Sequence, residues 1–342
     1  MKILNIDGAG PRLPGYEAGG QILRVALALS PILEKSFKIT NIRAGRPKSG
    51  LRPQHLTSVR AMAKITSAEM KGDERGSMTL MFLPKTIKSG EYKFDIGTAG
   101  STTLFTQPII PTLLFSEGKS KITVIGGTHN PMAPTADYYK NIFFPVIRKM
   151  GVKVDISINR YGFYPRGGGE IVIDIEPSKL SPINLTERGE LKKIKGICAG
   201  SGLKNIEDIF TREEEGVKEI FPEAEIIRSE KPSFSQGTGI TLWAEYENTT
   251  IGASAIGERG KRAEIVGKEA AQNLKREIES GGVLDHYMTD QILIFMAFAK
   301  GKSTVKVPEL TPHAKTCMWL IPQFTNKEFK VDGNLIEVEG IE

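Results

Sequence analysis

The sequence predicts an α/β (α+β) fold: three repeated units, each a small sheet with two helices, form a large domain, and a smaller α/β domain is inserted before the third unit. Three segments share one order of features: a glycine-marked loop, an apolar helix, a short basic turn, a strand, and then a second helix-like run. The second and third of these strands lie roughly 100 residues further apart than the first and second, which predicts the insertion. A chain of 342 residues is long enough for this arrangement.

The repeated segments begin at residues 19, 99 and 284, with GGQILRVALALS, AGSTTLFTQPII and LDHYMTDQILIF. The second unit closes with the hairpin-like run GFYPRGGGEIVIDIEP, after which the chain becomes polar and turn-rich. The inserted segment then shows one strand, a helix, two strands and a charged helix that ends at Gly281-Gly282. We therefore predict a large catalytic domain formed by residues 1–184 and 282–342, and an inserted domain formed by residues 185–281.

Composition restricts the class of protein only weakly. The net charge of +6 and the isoelectric point near 9.1 permit a polyanionic partner without requiring one. Two distant cysteines, Cys198 and Cys317, favour neither a disulfide framework nor a zinc site, and no apolar run is long enough for a membrane span. We expect a cytoplasmic protein without a membrane partner, and a solvated helix face at the acidic run REEEG, residues 212–216.

The three unit-starting helices carry polar residues where an apolar run is expected to begin. These residues are Glu17, Gln21, Arg24, Thr103, Gln107, Asp290 and Gln291. The first helix is expected to place Glu17, Gln21 and Arg24 on one face, because they are spaced i, i+4 and i+7. Three equivalent helices would direct such groups toward one cleft, although each is equally explained as a satisfied polar residue at a helix start.

A basic loop follows the first repeated strand. Within ITNIRAGRPKSGLRPQHL it carries Arg43, Arg46, Lys48, Arg52, Gln54 and His55. Arginine side chains match phosphate oxygens, and the run QHL opens a helix whose N-terminus favours anions. The pattern favours a phosphate site over an ordinary basic surface. The stretch IGTAGSTT resembles a phosphate-binding turn but is a weak signal, because it lacks the lysine of a Walker A sequence.

The four histidines show no metal-binding spacing, so a histidine-rich metal site is not expected. Glu17 and Asp290 remain candidates for binding a hard divalent cation together with phosphates. His313 lies in a polar turn before an apolar helix, within PELTPHAKTCMWLIPQF. Its pattern leaves a structural and a catalytic role open.

Seven stretches, in order, resemble the RNA 3'-terminal phosphate cyclase family over nearly the whole chain. They are EAGGQILR, IRAGRPKSGLRPQHL, FDIGTAGSTTLFTQ, GGTHNPMAPTADY, GFYPRGGGE, SGGVLDHYMTDQI and His313 with Thr316. The resemblance implies three sheet-and-two-helix units interrupted by a smaller domain, as the repeat spacing also predicts. The chain departs from the family in its longer first loop, in Ala18, and in Cys317, which stands where the family often has asparagine.

The resemblance also implies an activity: ATP-dependent conversion of an RNA 3'-terminal phosphate to a 2',3'-cyclic phosphate through a covalent histidine-AMP. His313 would be the nucleophile, and Glu17 would bind Mg²⁺ or Mn²⁺. The nucleotide would contact Gln107, Asp290 and Gln291, with adenine between Pro134 and Tyr287. Phosphates of ATP or of the RNA end would contact Arg24, Arg43, Arg46, Gln54 and His55. The partners would be ATP and RNA, and the sequence leaves open whether the protein is a homodimer.

Two other functions compete with this one. A non-catalytic cyclase-like protein that acts in ribosome assembly would lack the nucleophilic histidine and the acidic metal ligand, both of which this chain has at His313 and Glu17. An enolpyruvyl transferase uses similar repeated modules but would lack the ordered motifs.

Overall fold

The computed structural model describes residues 3–17 and 19–341, so Ala18 lies outside the described residues. The first unit is a four-stranded sheet with two helices, and its strands follow the spatial order first-second-fourth-third. The first two strands are parallel, and the remaining pairs are antiparallel. Its elements are β1 (Leu4–Asp7), α1 (Gly20–Ile32), β2 (Phe37–Thr40), α2 (Pro53–Thr66), β3 (Glu69–Lys71) and β4 (Leu80–Leu83).

The second unit repeats this strand order and these pairings, with short helices in place of single long ones. Its elements are β5 (Glu91–Asp95), α3 (Thr102–Thr106), α4 (Ile109–Leu113), β6 (Ser120–Gly126), α5 (Ala136–Tyr138), a π-helical turn (Tyr139–Phe143), α6 (Phe144–Arg148), β7 (Lys153–Arg160) and β8 (Gly169–Glu176). The π-helical turn packs one side on the core, since Tyr139, Ile142 and Phe143 are buried.

The third unit begins before the insertion and finishes after it. Its first strand is the two-residue β9 (Asn184–Leu185), which pairs in parallel with a strand that follows the insertion. The inserted segment contains β10 (Leu191–Ser201), α7 (Ile206–Lys218), β11 (Glu225–Glu230), β12 (Gly237–Tyr246), β13 (Thr250–Ile256) and α8 (Ala263–Glu279). The unit then continues with α9 (His286–Phe298), β14 (Lys302–Lys306), α10 (Pro312–Thr325), β15 (Phe329–Asp332) and β16 (Leu335–Glu339).

All three repeat sheets therefore share one topology, which confirms the predicted fold class. The sheet of the inserted segment is different, with the order β11-β10-β12-β13. The predicted border between residues 184 and 185 falls inside β9, so we propose to place the start of the insertion after Leu185. The insertion packs its own apolar core between its sheet and its two helices, around residues such as Phe210, Leu242 and Leu274.

One expectation about the insertion is wrong in part, because Glu215 is exposed but Glu213 is not. The acidic run at residues 212–216 lies in α7, but Glu213 is fully buried there and accepts a hydrogen bond from Thr238 Oγ1 at 2.8 Å. Burial raises the pKa of Glu213 to about 7. The sequence pattern missed this because α7 packs closely on α8, where Gly267 lies directly against the backbone of Glu213.

The repeat units pack their helices against one another. Helix α1 contacts α10 of the third unit and α4 of the second unit, so one helix of the first unit lies against helices of both other units. The contact surface is apolar, since Leu23, Leu27, Leu320 and Phe324 are buried. Among the described residues, none of the helices combines the length and the apolarity that crossing a membrane requires.

Candidate active site

His313 is the second residue of α10, at the end of the helix that faces α1. The local sequence explains the helix start: Thr311 is the N-cap, its side chain accepts from Ala314 N at 3.1 Å, and Pro312 occupies the first turn. A side chain at this position extends from the helix end instead of packing in the core. The side chain of His313 is 43% exposed.

Both ring nitrogens of His313 have partners from the first unit. Nδ1 contacts Gln21 Oε1, and Nε2 lies 3.3 Å from Glu17 Oε2. The fold therefore places residues of the first unit next to the candidate nucleophile, although almost 300 residues of sequence separate them.

The surroundings of Gln21 determine which nitrogen of His313 carries a proton. Gln21 Nε2 lies within hydrogen-bond distance of three acceptors: Asp290 Oδ2 at 3.0 Å, the His313 carbonyl at 2.9 Å and Cys317 Sγ at 3.0 Å. The opposite amide orientation would point an oxygen at these acceptors. Gln21 Oε1 therefore faces His313, where it accepts from Nδ1–H. A proton at Nδ1 leaves Nε2 as the nitrogen with a lone pair in the neutral ring.

Glu17 is fixed to the start of α10 through its backbone. Its amide donates to Thr316 Oγ1 at 3.1 Å, and the Thr316 hydroxyl lies 2.8 Å from the Pro312 carbonyl. Its carboxylate contacts Arg46 through one oxygen and His313 through the other. The expectation of one helical face for Glu17, Gln21 and Arg24 is wrong for Glu17, because α1 begins only at Gly20.

Behind Gln21 lies a small cavity that is lined by polar groups of all three repeat units. The polar lining residues are Gln21, Arg24, Gln107, Asp290, Gln291 and Cys317. Arg24 Nε donates to Gln107 Oε1 at 2.6 Å. Burial raises the pKa of Asp290 to about 6, although the neighbouring His313 and Arg24 oppose the shift. These lining residues come from all three units, as the prediction of a shared cleft for polar groups of three helices expected.

The basic loop after β2 lies against the start of α1. A side-chain carbon at Gly20 would lie 2.3 Å from His55 Nε2, so only glycine permits this packing. Burial and the nearby cations of Arg24, Arg43 and Arg52 lower the pKa of His55 to about 3, so the ring is neutral at pH 7. Its Nδ1 is buried without a hydrogen-bond partner.

The other members of the predicted phosphate set have different contacts. Arg43 has a positive φ of 55° and turns back onto its own loop, donating to the carbonyls of Lys48 and Gly50. Gln54 Oε1 accepts from the backbone of Ser101 at 3.3 Å, which connects the basic loop to the glycine loop of the second unit. Arg46 is engaged by Glu17.

The two residues predicted to contact adenine do not line the cavity behind Gln21. Tyr287 is partly buried, and its ring lies 5.8 Å from that of Tyr138 in an edge-on arrangement. Pro134 is buried, and its carbonyl accepts from Thr103 at 2.7 Å. Gln291 is bonded internally, since it accepts from Tyr139 at 2.8 Å and donates to the Tyr287 carbonyl at 2.6 Å. Their contacts with a nucleotide stay a prediction.

The described residues include no group of three or more histidine, cysteine or acidic side chains that would form a complete metal site. A magnesium-type ion is commonly held by one or two carboxylates together with substrate phosphates and water. Glu17 is the carboxylate beside His313, and it would have to exchange its Arg46 contact to hold such an ion.

Sequence reasoning noticed Gln21 only as a polar position on a helix. The structure gives it a central place, because its side chain contacts His313, Asp290 and Cys317. Its spacing from Arg24 was the available signal. Cys317, which replaces an asparagine common in the family, is buried, and burial raises the pKa of its thiol, so it acts here as a neutral sulfur acceptor.

Comparison with known proteins finds relatives along nearly the whole chain. A family profile described as "RTC: RNA 3'-terminal phosphate cyclase" matches residues 16–331. The protein of that name from Staphylothermus marinus is 42% identical over 100% of this chain and 99% of its own length. The one from Methanothermobacter thermautotrophicus is 43% identical, covering 93% of this chain and 94% of its own. Among solved structures, the enolpyruvyl transferase NikO from Streptomyces tendae aligns with 98% of this chain and 48% of its own at 9% identity, with a TM-score of 0.42.

The family profile and the similarity over the full length at this identity lead to one assignment. This chain belongs to the RNA 3'-terminal phosphate cyclase family.

Proposed function

We propose that this protein converts an RNA 3'-terminal phosphate to a 2',3'-cyclic phosphate, consuming ATP, through covalent histidine-AMP and RNA-(3')pp(5')A intermediates. One observation carries the proposal: Gln21 Oε1 contacts Nδ1 of His313, which in the neutral ring places the proton on Nδ1 and the lone pair on Nε2, the nitrogen that faces the Glu17 carboxylate. Curated relatives along the whole chain carry the name of this activity.

In the first step, the Nε2 lone pair of His313 would form a bond to the α-phosphorus of ATP, and the bond from that phosphorus to the bridging oxygen would break. Pyrophosphate leaves with the electron pair. In the second step, an oxygen of the RNA 3'-phosphate attacks the same phosphorus and breaks the N–P bond, which restores neutral His313. In the third step, the 2'-hydroxyl attacks the RNA phosphorus, loses its proton and releases AMP.

The residues around His313 have distinct roles in this scheme. Gln21 orients the ring, while Asp290 and Cys317 orient Gln21. Arg24, Arg46 and neutral His55 would contact phosphate oxygens, and the unpartnered Nδ1 of His55 is a buried polar group that a ligand or a change of side-chain position would satisfy. A Mg²⁺ or Mn²⁺ ion at Glu17 would offset negative charge on the triphosphate. Gln107, Asp290 and Gln291 would contact the nucleotide, with adenine between Pro134 and Tyr287.

Labelling of the protein with α-labelled ATP tests this function. With a divalent metal and no RNA, the wild type should retain label in a bond that acid breaks and alkali does not, as expected for a phosphoramidate. His313→Ala should retain none. Absence of label on folded wild type, with Mg²⁺ and Mn²⁺ both tried, would contradict the proposed chemistry.

Such a result would favour the competing function, a non-catalytic factor in ribosome assembly. Co-sedimentation with ribosomal particles would then be the discriminating measurement. The presence of both His313 and Glu17 argues against this alternative, because a binding factor has no use for an oriented nucleophile.

A further inference from the structure

A second, much larger cavity lies outside the histidine site. This interdomain cleft, of about 1280 Å³, opens between the loop that joins β7 to β8 and two loops of the inserted segment. The loop from the second unit contributes Phe163–Arg166, and the inserted segment contributes Phe234–Thr238 and residues 256–263. None of these residues belongs to the site described above.

The lining of the interdomain cleft is predominantly basic. Its charged residues in the described part of the chain are Arg166, Arg212, Glu258, Arg259, Lys261 and Arg262. Arg212 and Arg262 pair with Glu264, and Lys261 pairs with Glu269. Arg166 and Arg259 are exposed and form no ion pair with a described residue. Two unpaired guanidinium groups in one cleft attract an anionic partner.

Two aromatic side chains of the cleft are also exposed: Tyr164 is 75% exposed and Phe234 is 56% exposed. Phe234 is held in place, because one side of its ring packs on Gly168, where an added Cβ would lie 2.0 Å from the ring. The guanidinium of Arg160 lies 4.6 Å from the ring centroid. Exposed aromatic rings beside unpaired arginines are typical of surfaces that bind single-stranded nucleic acid, where bases stack and phosphates pair.

The cleft reaches the phosphate-binding side of the histidine site through close backbone contacts. Gly167 packs against the glycine loop, where its Cβ would lie 2.7 Å from Ala99 Cα. The Asn130 side chain donates to the Ala99 carbonyl at 2.6 Å. One residue further, Gly100 packs against Gln54, which precedes His55. A strand that ends at the basic loop can therefore continue over the glycine loop into the cleft.

We propose that the interdomain cleft binds the single-stranded RNA segment on the 5' side of the terminal phosphate. Bases stack on Tyr164 and Phe234, and backbone phosphates pair with Arg166 and Arg259. This inference rests on the proposed function, and it gives the inserted segment a role in holding the body of the RNA substrate.

Equilibrium binding tests the inference without catalysis. The probe is a fluorescent ten-nucleotide RNA with a 3'-phosphate, measured by anisotropy and compared with a dinucleotide that carries the same 3'-phosphate. The double variant Tyr164→Ala with Phe234→Ala should bind the longer RNA at least about tenfold more weakly, with the dinucleotide unchanged. The double variant Arg166→Ala with Arg259→Ala should also bind the longer RNA more weakly. Its affinity should depend less on salt, with the slope of log affinity against log salt concentration reduced in magnitude by about 1.4.

Matched controls come from the same chain. Arg276→Ala removes an exposed arginine of α8 that forms no ion pair with a described residue and lies about 15 Å along the helix from the cleft. Phe115→Ala removes a 41% exposed aromatic ring that does not line the cleft. Both controls should bind the longer RNA as the wild type does.

Labelling with α-labelled ATP in the absence of RNA separates the two proposals. Cleft variants that label normally and lose affinity only for the longer RNA would support the inference. Unchanged affinity for the longer RNA, or equal loss for both RNAs, would overturn it. A wild type that binds RNA through the cleft but never labels would refute the proposed chemistry and leave the cleft assignment standing.

Discussion

His129 lies in the loop between β6 and α5, whereas His313 is the second residue of α10, and their surroundings differ completely. The side chain of His129 is 0% exposed, with Asp137 Oδ2 3.0 Å from its Nε2 and Thr128 Oγ1 2.9 Å from its Nδ1. The ring of Tyr161 packs edge-on at 4.9 Å. His313 has the same number of partners but is 43% exposed, and its carboxylate partner, Glu17, is itself shared with Arg46.

The difference shows what makes a histidine available for chemistry. A ring nitrogen that pairs with a buried carboxylate stabilises the fold, because removing the histidine would leave that carboxylate unpaired. A nitrogen at the surface, whose opposite nitrogen is held by an amide, has one lone pair that a substrate can reach. Four substitutions test this contrast.

The largest effect is expected for His313→Ala. Labelling from α-labelled ATP and cyclisation of RNA 3'-phosphate should fall by at least about 1000-fold, since the nucleophile is removed. The free energy of unfolding should change by less than about 0.5 kcal/mol, because the side chain is exposed. A large loss of stability in denaturant titration would mean that His313 is structural, as His129 is.

His129→Ala should give the opposite result. The substitution leaves Asp137 buried without its partner, so we expect the free energy of unfolding to fall by about 3 kcal/mol in urea titrations. Label incorporated per folded molecule should equal that of the wild type. Loss of label in folded His129→Ala protein would contradict the assignment of separate roles.

Gln21→Leu should slow labelling by about 100-fold, roughly 2.7 kcal/mol, because His313 Nδ1 loses the acceptor that orients the ring. The matched variant Gln21→Glu keeps an acceptor at this position and should recover part of the rate. If Gln21 positions His313, the pH dependence of labelling should also change in Gln21→Leu. A packing defect alone would leave the pH profile of labelling unaltered.

Asp290→Asn should slow labelling and yet stabilise the fold. Burial raises the pKa of Asp290 from its usual 3.8 to about 6, so the folded state holds this proton more tightly than the unfolded state. The stabilisation from that proton is complete below about pH 4 and is lost as the pH rises through 6. At pH 7.5 the variant should therefore be more stable by about 2 kcal/mol, with no such gain at pH 4.

Denaturant titrations of both proteins at the two pH values measure this difference. Equal free energies of unfolding for Asp290→Asn and wild type at pH 7.5 would show that the ionised carboxylate does not destabilise the fold at that pH. Cys317→Ala, which removes another partner of Gln21, is a suitable control because the thiol carries no charge.

The amino-acid sequence alone determined the repeat architecture. Hydrophobic periodicity and turn chemistry are local, so the three units and the extra segment between the second and third could be located from letters alone. Short motifs around Arg46, Gln54 and His313 likewise identified the family, since each motif is a run of neighbours in the chain.

Only the tertiary structure decided how distant residues meet. Gln21 contacts His313 across 292 positions, and Glu213 became buried because a glycine on another helix allowed close approach. Whether β9 belongs to the third unit depends on pairing with β14 beyond the insertion, which no local pattern records. Periodicity describes which face of an element is apolar, whereas the partner that covers that face, and the proton that a ring nitrogen keeps, depend on packing between elements far apart in sequence.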